Sequence, residues 1–129
     1  MKKIIPLLLL LFLFAGCGVS AETGSSYKQI SMEEAISMME KESDYILLDV
    51  RTAEEFEEKH IPGAINIPNE TISSEEIPEL PDKDQLILVY CRSGNRSKQA
   101  SQKLADLGYT NIVEFGGIKD WTGETETGR

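Results

Sequence analysis

The chain has 129 residues, and its 22 acidic side chains outnumber its 13 lysines and arginines, giving a net charge of −9. This length allows one domain rather than two. The acidic balance argues against binding to nucleic acid, and against attachment to anionic lipid through a basic patch.

The first residues have the pattern of a secretory signal. Residues 1–3 include two lysines and residues 4–15 are almost wholly apolar, but this run is shorter than the roughly 20 residues that a helix needs to span a bilayer. Small residues before Cys17 resemble a bacterial lipoprotein signal, although Phe14 stands where Leu is usual. We therefore expect a signal peptide over 1–16 that is cut before Cys17.

Lipidation of Cys17 would hold the protein on the cell membrane, on the extracytoplasmic side, with residues 17–27 as a flexible tether. An uncleaved apolar anchor and an ordinary signal cut elsewhere are the alternatives. The remaining chain is predicted to be one domain over 28–123 with a polar tail over 124–129.

The domain is predicted to open with a short strand over 27–30 and an amphipathic helix over 32–42. Ser31 and Glu34 have the spacing of a capping box, in which the two residues satisfy each other's backbone N–H groups at a helix start. Residues 45–50 form an apolar run that includes Asp49, and such runs are typical of strands covered on both faces.

Two further helical segments are predicted by capping-box spacings. Thr52 and Glu55 form a second capping box, which predicts a helix over 53–59, and Ser73 with Glu76 predicts one or two turns within 69–80. The remaining segments are a brief strand over 65–67, a strand over 86–90, a helix over 97–107 that Gly108 ends, a strand over 111–115, and a short segment ending at a core Trp121.

Strands that alternate with helices indicate an α/β domain with a mainly parallel sheet. In such sheets the functional site lies at the carboxyl ends of the strands. Asp49 and Cys91 both fall at such ends.

The strand over 86–90 runs straight into Cys91, a glycine-containing loop and a helix. Converging backbone N–H groups and a helix N-terminus favour an anion, and therefore a thiolate over a thiol. Gly94 allows a tight turn, while Arg92 and Arg96 supply fixed positive charge and forked donors that suit oxyanions. The alternative is a buried, inert cysteine with Ser93 or Ser97 capping the helix.

Cysteine usage supports a reactive thiol. If Cys17 carries the anchor, Cys91 has no partner within the chain for a disulfide, and one Cys with one His cannot form a tetrahedral metal site. Residues 91–103 carry four basic side chains and no acidic one, so this acidic chain has a local basic region that would attract small anions.

A resemblance to a known family becomes specific at this loop. The active-site loop of the rhodanese family of sulfurtransferases is similar to the run Cys91-Arg92-Ser93-Gly94-Asn95-Arg96-Ser97. Residues 49–56 and 60–68 resemble the first signature of the family, and residues 116–121 its C-terminal one. The resemblance covers roughly 31–121 and implies a central, mainly parallel five-stranded sheet flanked by helices on both faces.

The resemblance also implies a chemistry that requires no metal or organic cofactor. Cys91 would accept sulfane sulfur as a persulfide, the backbone of residues 92–97 would cradle it, and Arg92 and Arg96 would hold the anionic end of a donor such as thiosulfate. A thiol or a cyanide-like nucleophile would then take the sulfur, with an envelope protein as one candidate acceptor.

Asp49, Arg51 and His60 are candidates for supporting roles. The first two residues can shape the site by pairing with loop groups, or can form a structural salt bridge or helix cap, which we favour. His60 is the single histidine and precedes a Pro-Gly turn at a helix end, where we expect a structural hydrogen bond.

Three other functions are alternatives to sulfur transfer. A cysteine phosphatase places five residues between its Cys and Arg, which requires Arg at position 97, whereas this chain has Ser97 there and Arg96 one residue earlier. A non-catalytic binding module is the second alternative. The third is thiol redox chemistry or sulfur relay, which needs a second thiol from another molecule.

Overall fold

The computed structural model describes residues 26–129. The predicted signal peptide, Cys17 and most of the predicted tether lie outside the described residues. Within residues 26–129, no helix combines the length and the apolar character needed to cross a membrane.

The described domain is a five-stranded sheet with helices packed on it, and every strand pairing is parallel. Its strand order is β1-β5-β4-β2-β3. The strands are β1 (Lys28–Gln29), β2 (Tyr45–Asp49), β3 (Ile65–Asn66), β4 (Leu86–Cys91) and β5 (Ile112–Gly117). The helices are α1 (Met32–Lys41), α2 (Ala53–Glu58) and α3 (Asn95–Asp106), with 3-10 turns at Asn69–Thr71 and Ile118–Asp120. The predicted α/β fold is confirmed.

Both capping boxes predicted at the starts of α1 and α2 are present. The Ser31 hydroxyl accepts from the Glu34 N–H at 3.1 Å, and the Glu34 carboxylate accepts from the Ser31 N–H at 3.2 Å. Thr52 and Glu55 repeat this exchange at 3.2 and 3.1 Å. Local sequence signals therefore set where these two helices begin.

The third predicted capping box is wrong. The Ser73 hydroxyl accepts from the N–H of Glu75, at 3.4 Å, and the 3-10 turn of this segment ends before Ser73. A helix started by Ser73 would place Pro78 in its second turn, where proline lacks the required N–H and its ring clashes with the carbonyl four residues earlier.

The core lies on both faces of the sheet, and successive side chains of β4 point to opposite faces. Ile87, Val89 and Cys91 join the cluster under α3, whereas Leu88 and Tyr90 join the cluster under α1. Trp121 packs at the edge of the α1 cluster, as expected. This alternation buries the Cys91 side chain beneath α3.

The predicted polar tail folds back against α2. The backbones of His60 and Glu126 exchange hydrogen bonds of 2.8 Å, and the Gly128 N–H donates to the Glu57 carbonyl at 2.8 Å. The exposed Arg129 guanidinium then forms an ion pair with the Glu57 carboxylate at 2.8 Å.

Candidate active site

Cys91 ends β4 at the carboxyl edge of the sheet, next to Gly117 at the end of β5. Its side chain is 1% exposed. The Gly94 N–H donates to Sγ at 3.0 Å, and Sγ lies 3.4 Å from the Ser97 hydroxyl. The loop after β4 thus folds over its own cysteine and presents a backbone donor to the sulfur.

Gly94 makes this turn possible. Its φ of 112° is in the left-handed region, and it immediately precedes the first residue of α3. The helix begins at Asn95, two residues earlier than predicted, so Asn95, Arg96 and Ser97 form its first turn. Cys91 therefore faces the N-terminus of a 12-residue helix, whose partial positive charge favours an anion.

A second glycine lets the loop lie close to β5. A Cβ on Gly117 would lie 1.9 Å from the Arg92 carbonyl oxygen, far inside van der Waals contact. The same carbonyl accepts from the Lys119 N–H at 3.2 Å. Gly117 at the end of β5 is therefore part of the wall that positions the cysteine loop.

Arg96 is engaged by α2. Its two terminal nitrogens donate to the two carboxylate oxygens of Glu55 at 2.6 and 3.1 Å. Arg96 lowers the pKa of Glu55 to about 2, and the carboxylate in turn raises the pKa of Arg96. This ion pair fastens the first turn of α3 to the start of α2 and neutralises part of the predicted basic region.

Arg92 lies beside the cysteine with an exposed side chain. It lines an open cleft of about 490 Å³ together with residues from the α2 end and the 3-10 turn after β5. The cleft is lined by Arg51, Glu55, Glu58, Lys59, Arg92, Ile118 and Lys119. Lys59 and Lys119 are also exposed, so this cleft offers three solvent-facing cations near the loop.

Asp49 and Arg51 pair with each other at the end of β2. The Arg51 Nη2 donates to Asp49 Oδ2 at 2.6 Å and to the Lys59 carbonyl at 2.7 Å. Burial opposes the Arg51 charge, but hydrogen bonding and attraction from Asp49 raise its pKa overall. Burial, and then Asp49, raise the pKa of the neighbouring Tyr90, whose hydroxyl accepts from the Ile61 N–H at 3.1 Å.

His60 is 5% exposed and stacks on Phe56 with ring centroids 3.7 Å apart. Its Nδ1 lies 2.8 Å from the Phe56 carbonyl oxygen. A carbonyl only accepts, so Nδ1 carries the proton. Nε2 faces the Glu126 carboxylate at 3.6 Å. These contacts give His60 a position in the packing of α2 and the tail.

The other loop residues divide by exposure. Ser93 and Asn95 are exposed at the surface of the loop, whereas Ser97 is fully buried behind Cys91. The Ser97 hydroxyl contacts the carboxylate of Glu114 at 2.5 Å. Sequence reasoning missed Glu114, although one charged residue inside the apolar run of β5 was a signal for it.

The family model for the rhodanese-like domain matches residues 31–124. The chain belongs to the rhodanese-like family. The described domain is a rhodanese-type sulfurtransferase domain whose active-site cysteine, Cys91, is buried at the base of its loop.

Curated relatives cover most of the rhodanese domain. YrkF of Bacillus subtilis is 34% identical over 116 residues, covering 89% of this chain, and the chain spans only 62% of YrkF. The thiosulfate sulfurtransferase PspE of Escherichia coli is 40% identical over 57% of this chain and 70% of PspE. The thiosulfate sulfurtransferase GlpE of Coxiella burnetii is 34% identical over 74% of this chain and 87% of GlpE.

Solved structures agree with this assignment. An E. coli rhodanese with anions is 38% identical, with a TM-score of 0.59 over 65% of this chain and 99% of that one. The human single-domain sulfurtransferase TSTD1 is 28% identical, with a TM-score of 0.65 over 74% of this chain and 96% of that one.

Proposed function

We propose that this protein is a membrane-tethered, extracytoplasmic sulfurtransferase. It moves sulfane sulfur from thiosulfate or a persulfide donor to a thiophilic acceptor, through a persulfide on Cys91. The observation that carries the proposal is the Gly94 N–H held 3.0 Å from the Cys91 sulfur at the N-terminus of α3. A fixed donor and a helix dipole stabilise a thiolate, and afterwards a terminal persulfide anion.

The first half-reaction needs the cysteine as a nucleophile. The Cys91 thiolate attacks the outer sulfur of thiosulfate, the S–S bond of the donor breaks, and sulfite leaves with the bonding electron pair. One new S–S bond replaces one old one, so no outside oxidant or reductant takes part. The product is Cys91 persulfide, also an anion, in the same loop.

Donor recognition is assigned first to Arg92. Arg92 directly follows Cys91 in the chain, is exposed, and lines the cleft that Lys119 also lines, so both can meet a doubly charged donor in the open cleft. Arg96 already uses both terminal nitrogens on Glu55. Its role is therefore to fix the loop and to add a positive field.

The second half-reaction returns the enzyme to its starting state. A thiolate, or a nucleophile such as cyanide, attacks the outer sulfur of the persulfide, and Cys91 leaves as a thiolate. Cys91 is the only cysteine of the described domain, and the proposed lipid would occupy Cys17, so the acceptor thiol comes from another molecule. An envelope protein fits an enzyme held at the membrane through Cys17.

The activity is tested by sulfite release from thiosulfate, with cyanide as acceptor. Arg92→Gln should raise KM for thiosulfate about tenfold or more, because a charge-assisted hydrogen bond is worth about 1.5–3 kcal/mol. Lys98→Gln is the matched control: it removes an exposed cation on the outside of α3 and should leave KM unchanged. Equal KM values in all three proteins would refute the role of Arg92. A protein that releases no sulfite from thiosulfate and transfers no sulfur from a persulfide donor to cyanide would refute the enzyme.

The tether is tested separately. The full chain expressed in a bacterial host should partition with the membrane fraction and be digested by protease added to spheroplasts. The Cys17→Ser variant should lose covalent lipid. A wild-type chain that is found in the cytosol without lipid would contradict the proposed location, while leaving the sulfur chemistry intact.

A further inference from the structure

Glu114 is a carboxylate in the middle of β5 and is 2% exposed. Burying a carboxylate is costly unless hydrogen bonds compensate it. Its Oε2 accepts from the Gly116 N–H at 2.9 Å and lies 2.5 Å from the Ser97 hydroxyl oxygen. Among residues 26–129, no Lys, Arg or His forms an ion pair with it.

The Ser97 hydroxyl stands between this carboxylate and the cysteine. Its oxygen lies 2.5 Å from Glu114 Oε2 and 3.4 Å from Cys91 Sγ, while the carbonyls of Gly94 and Gly116 are 3.0 and 3.3 Å away. A hydroxyl has one hydrogen, and Glu114 is the nearest acceptor. The Ser97 hydrogen therefore points to Glu114, and the lone pairs of the Ser97 hydroxyl oxygen face the Cys91 thiol.

We propose that Glu114 is a positioning residue that takes the Cys91 proton through the Ser97 hydroxyl. The Cys91 S–H bond breaks as a new O–H bond forms on Ser97, and the original Ser97 O–H bond breaks as the proton passes to Glu114. The products are a thiolate, a neutral hydroxyl and a neutral carboxylic acid. One proton has moved, and nothing is oxidised or reduced.

The relay leaves the site in the form that sulfur transfer needs. Protonated Glu114 donates to the Ser97 oxygen, so the Ser97 hydrogen turns to the Cys91 sulfur. That sulfur then has two donors, the Ser97 hydroxyl and the Gly94 N–H. Each later turnover expels Cys91 as a thiolate, so the proton stays on Glu114 between cycles.

Few other titratable or charged groups face Glu114. In the parallel register its neighbours are Val89 on β4 and Gln29 on β1, both uncharged. On α3, Ser97 faces it, Arg96 is paired with Glu55, and Lys98 is exposed to solvent. The remaining partner is the Gly116 N–H of its own strand, so Cys91 is the titratable group to which Glu114 is linked.

The proposal rests on the proposed function for its role in turnover, but its first test needs no sulfur donor. The rate of Cys91 alkylation by iodoacetamide is measured against pH. Glu114→Gln keeps an oxygen that accepts from Ser97 and Gly116 but cannot take a proton, so the profile should move to higher pH. Ser97→Ala should move it in the same direction, and the double variant should move no further than one single change.

Ser101→Ala is the matched control. Ser101 lies one turn further along α3, is fully buried, and its hydroxyl has no hydrogen-bond partner within the described chain. Its removal should leave the alkylation profile unchanged. A shift of Glu114→Gln to lower pH, which the loss of a nearby negative charge alone would produce, overturns the proposal, as does a profile equal to the control.

Sulfite release then measures the effect on turnover. The relay sets the fraction of free enzyme that carries a Cys91 thiolate, so Glu114→Gln should lower kcat/KM for thiosulfate at neutral pH by the same factor as it lowers the alkylation rate. If Glu114→Gln does not fold, Ser97→Ala carries the same test. A shifted alkylation profile in a protein that transfers sulfur from neither thiosulfate nor a persulfide donor would support the relay and refute the proposed function, so the two failures are distinct.

Discussion

Replacing Gly117 by alanine should damage the active-site loop by steric pressure alone. The Gly117 φ of −143° is ordinary extended backbone that any residue adopts, so the substitution introduces no conformational strain. The new Cβ would lie 1.9 Å from the Arg92 carbonyl oxygen, whereas real Cβ contacts of this kind stay at or above 3.0 Å. The loop and β5 must therefore separate by about 1 Å, the difference between these distances.

The size of the effect follows from that displacement. Overpacking of this kind costs about 1–3 kcal/mol of stability. A misplacement of about 1 Å in a catalytic group lowers turnover by about 10²-fold. We expect Gly117→Ala to show both losses, measured by urea unfolding and by sulfite release from thiosulfate per folded molecule.

Gly108→Ala separates the two effects. Gly108 has a φ of 97° and nothing within 4 Å of its would-be Cβ, so alanine there introduces strain of about 1–2 kcal/mol at the far end of α3. Its sulfite release per folded molecule should equal that of the wild type. Wild-type turnover in Gly117→Ala, or an equal loss in both variants, would refute the steric reasoning.

Two further predictions concern the surroundings of the loop. Arg96→Gln removes the partner that lowers the pKa of Glu55 from 4.5 to about 2. Since a lowered carboxylate pKa stabilises the fold above the ordinary value, the variant should lose about 1–2 kcal/mol above pH 5 in urea unfolding, a figure reduced for partial exposure. That deficit should shrink as the pH falls from 4.5 towards 2, and a deficit that is constant with pH would contradict the assigned ion pair. Tyr90→Phe leaves the buried Ile61 N–H without its acceptor, so unfolding should cost about 1–3 kcal/mol less, and unchanged stability would show that this hydrogen bond contributes little.

Local signals in the sequence predicted much of the fold. The capping boxes at Ser31 and Thr52 and the apolar runs over 45–50 and 86–90 each depend on neighbours within a few residues. They therefore predicted the ends of elements closely. The position of Cys91 followed from its place at the end of an apolar strand. The failure at Ser73 was also local, because Pro78 outweighed the capping signal.

The contacts that complete the site could not be predicted in this way. The Arg96–Glu55 ion pair joins residues 41 positions apart, and the Ser97–Glu114 contact joins residues 17 apart. Both depend on the strand order, which places β5 beside β4 and α2 beside the start of α3. A capping-box glutamate thus holds an active-site arginine as well, a second role that no local pattern reveals.

The difference between local signals and long-range contacts also applies to the supporting residues Asp49, Arg51 and His60. Asp49 and Arg51 were expected to form a structural pair or to contact the loop. Their side chains pair with each other, and Arg51 also donates to the Lys59 carbonyl. His60 was expected to make a structural hydrogen bond, and its Nδ1 contacts the Phe56 carbonyl. The fold-back of residues 124–129 onto α2 had no signal in their composition.

The central claim is that Cys91 carries the transferred sulfur. The most direct measurement is the intact mass of the reduced, soluble domain after incubation with thiosulfate. A persulfide adds one sulfur atom, about 32 Da, and the adduct should be absent in Cys91→Ser and removed by cyanide as thiocyanate forms. An unchanged mass in the wild type, or the same adduct in Cys91→Ser, would contradict the account.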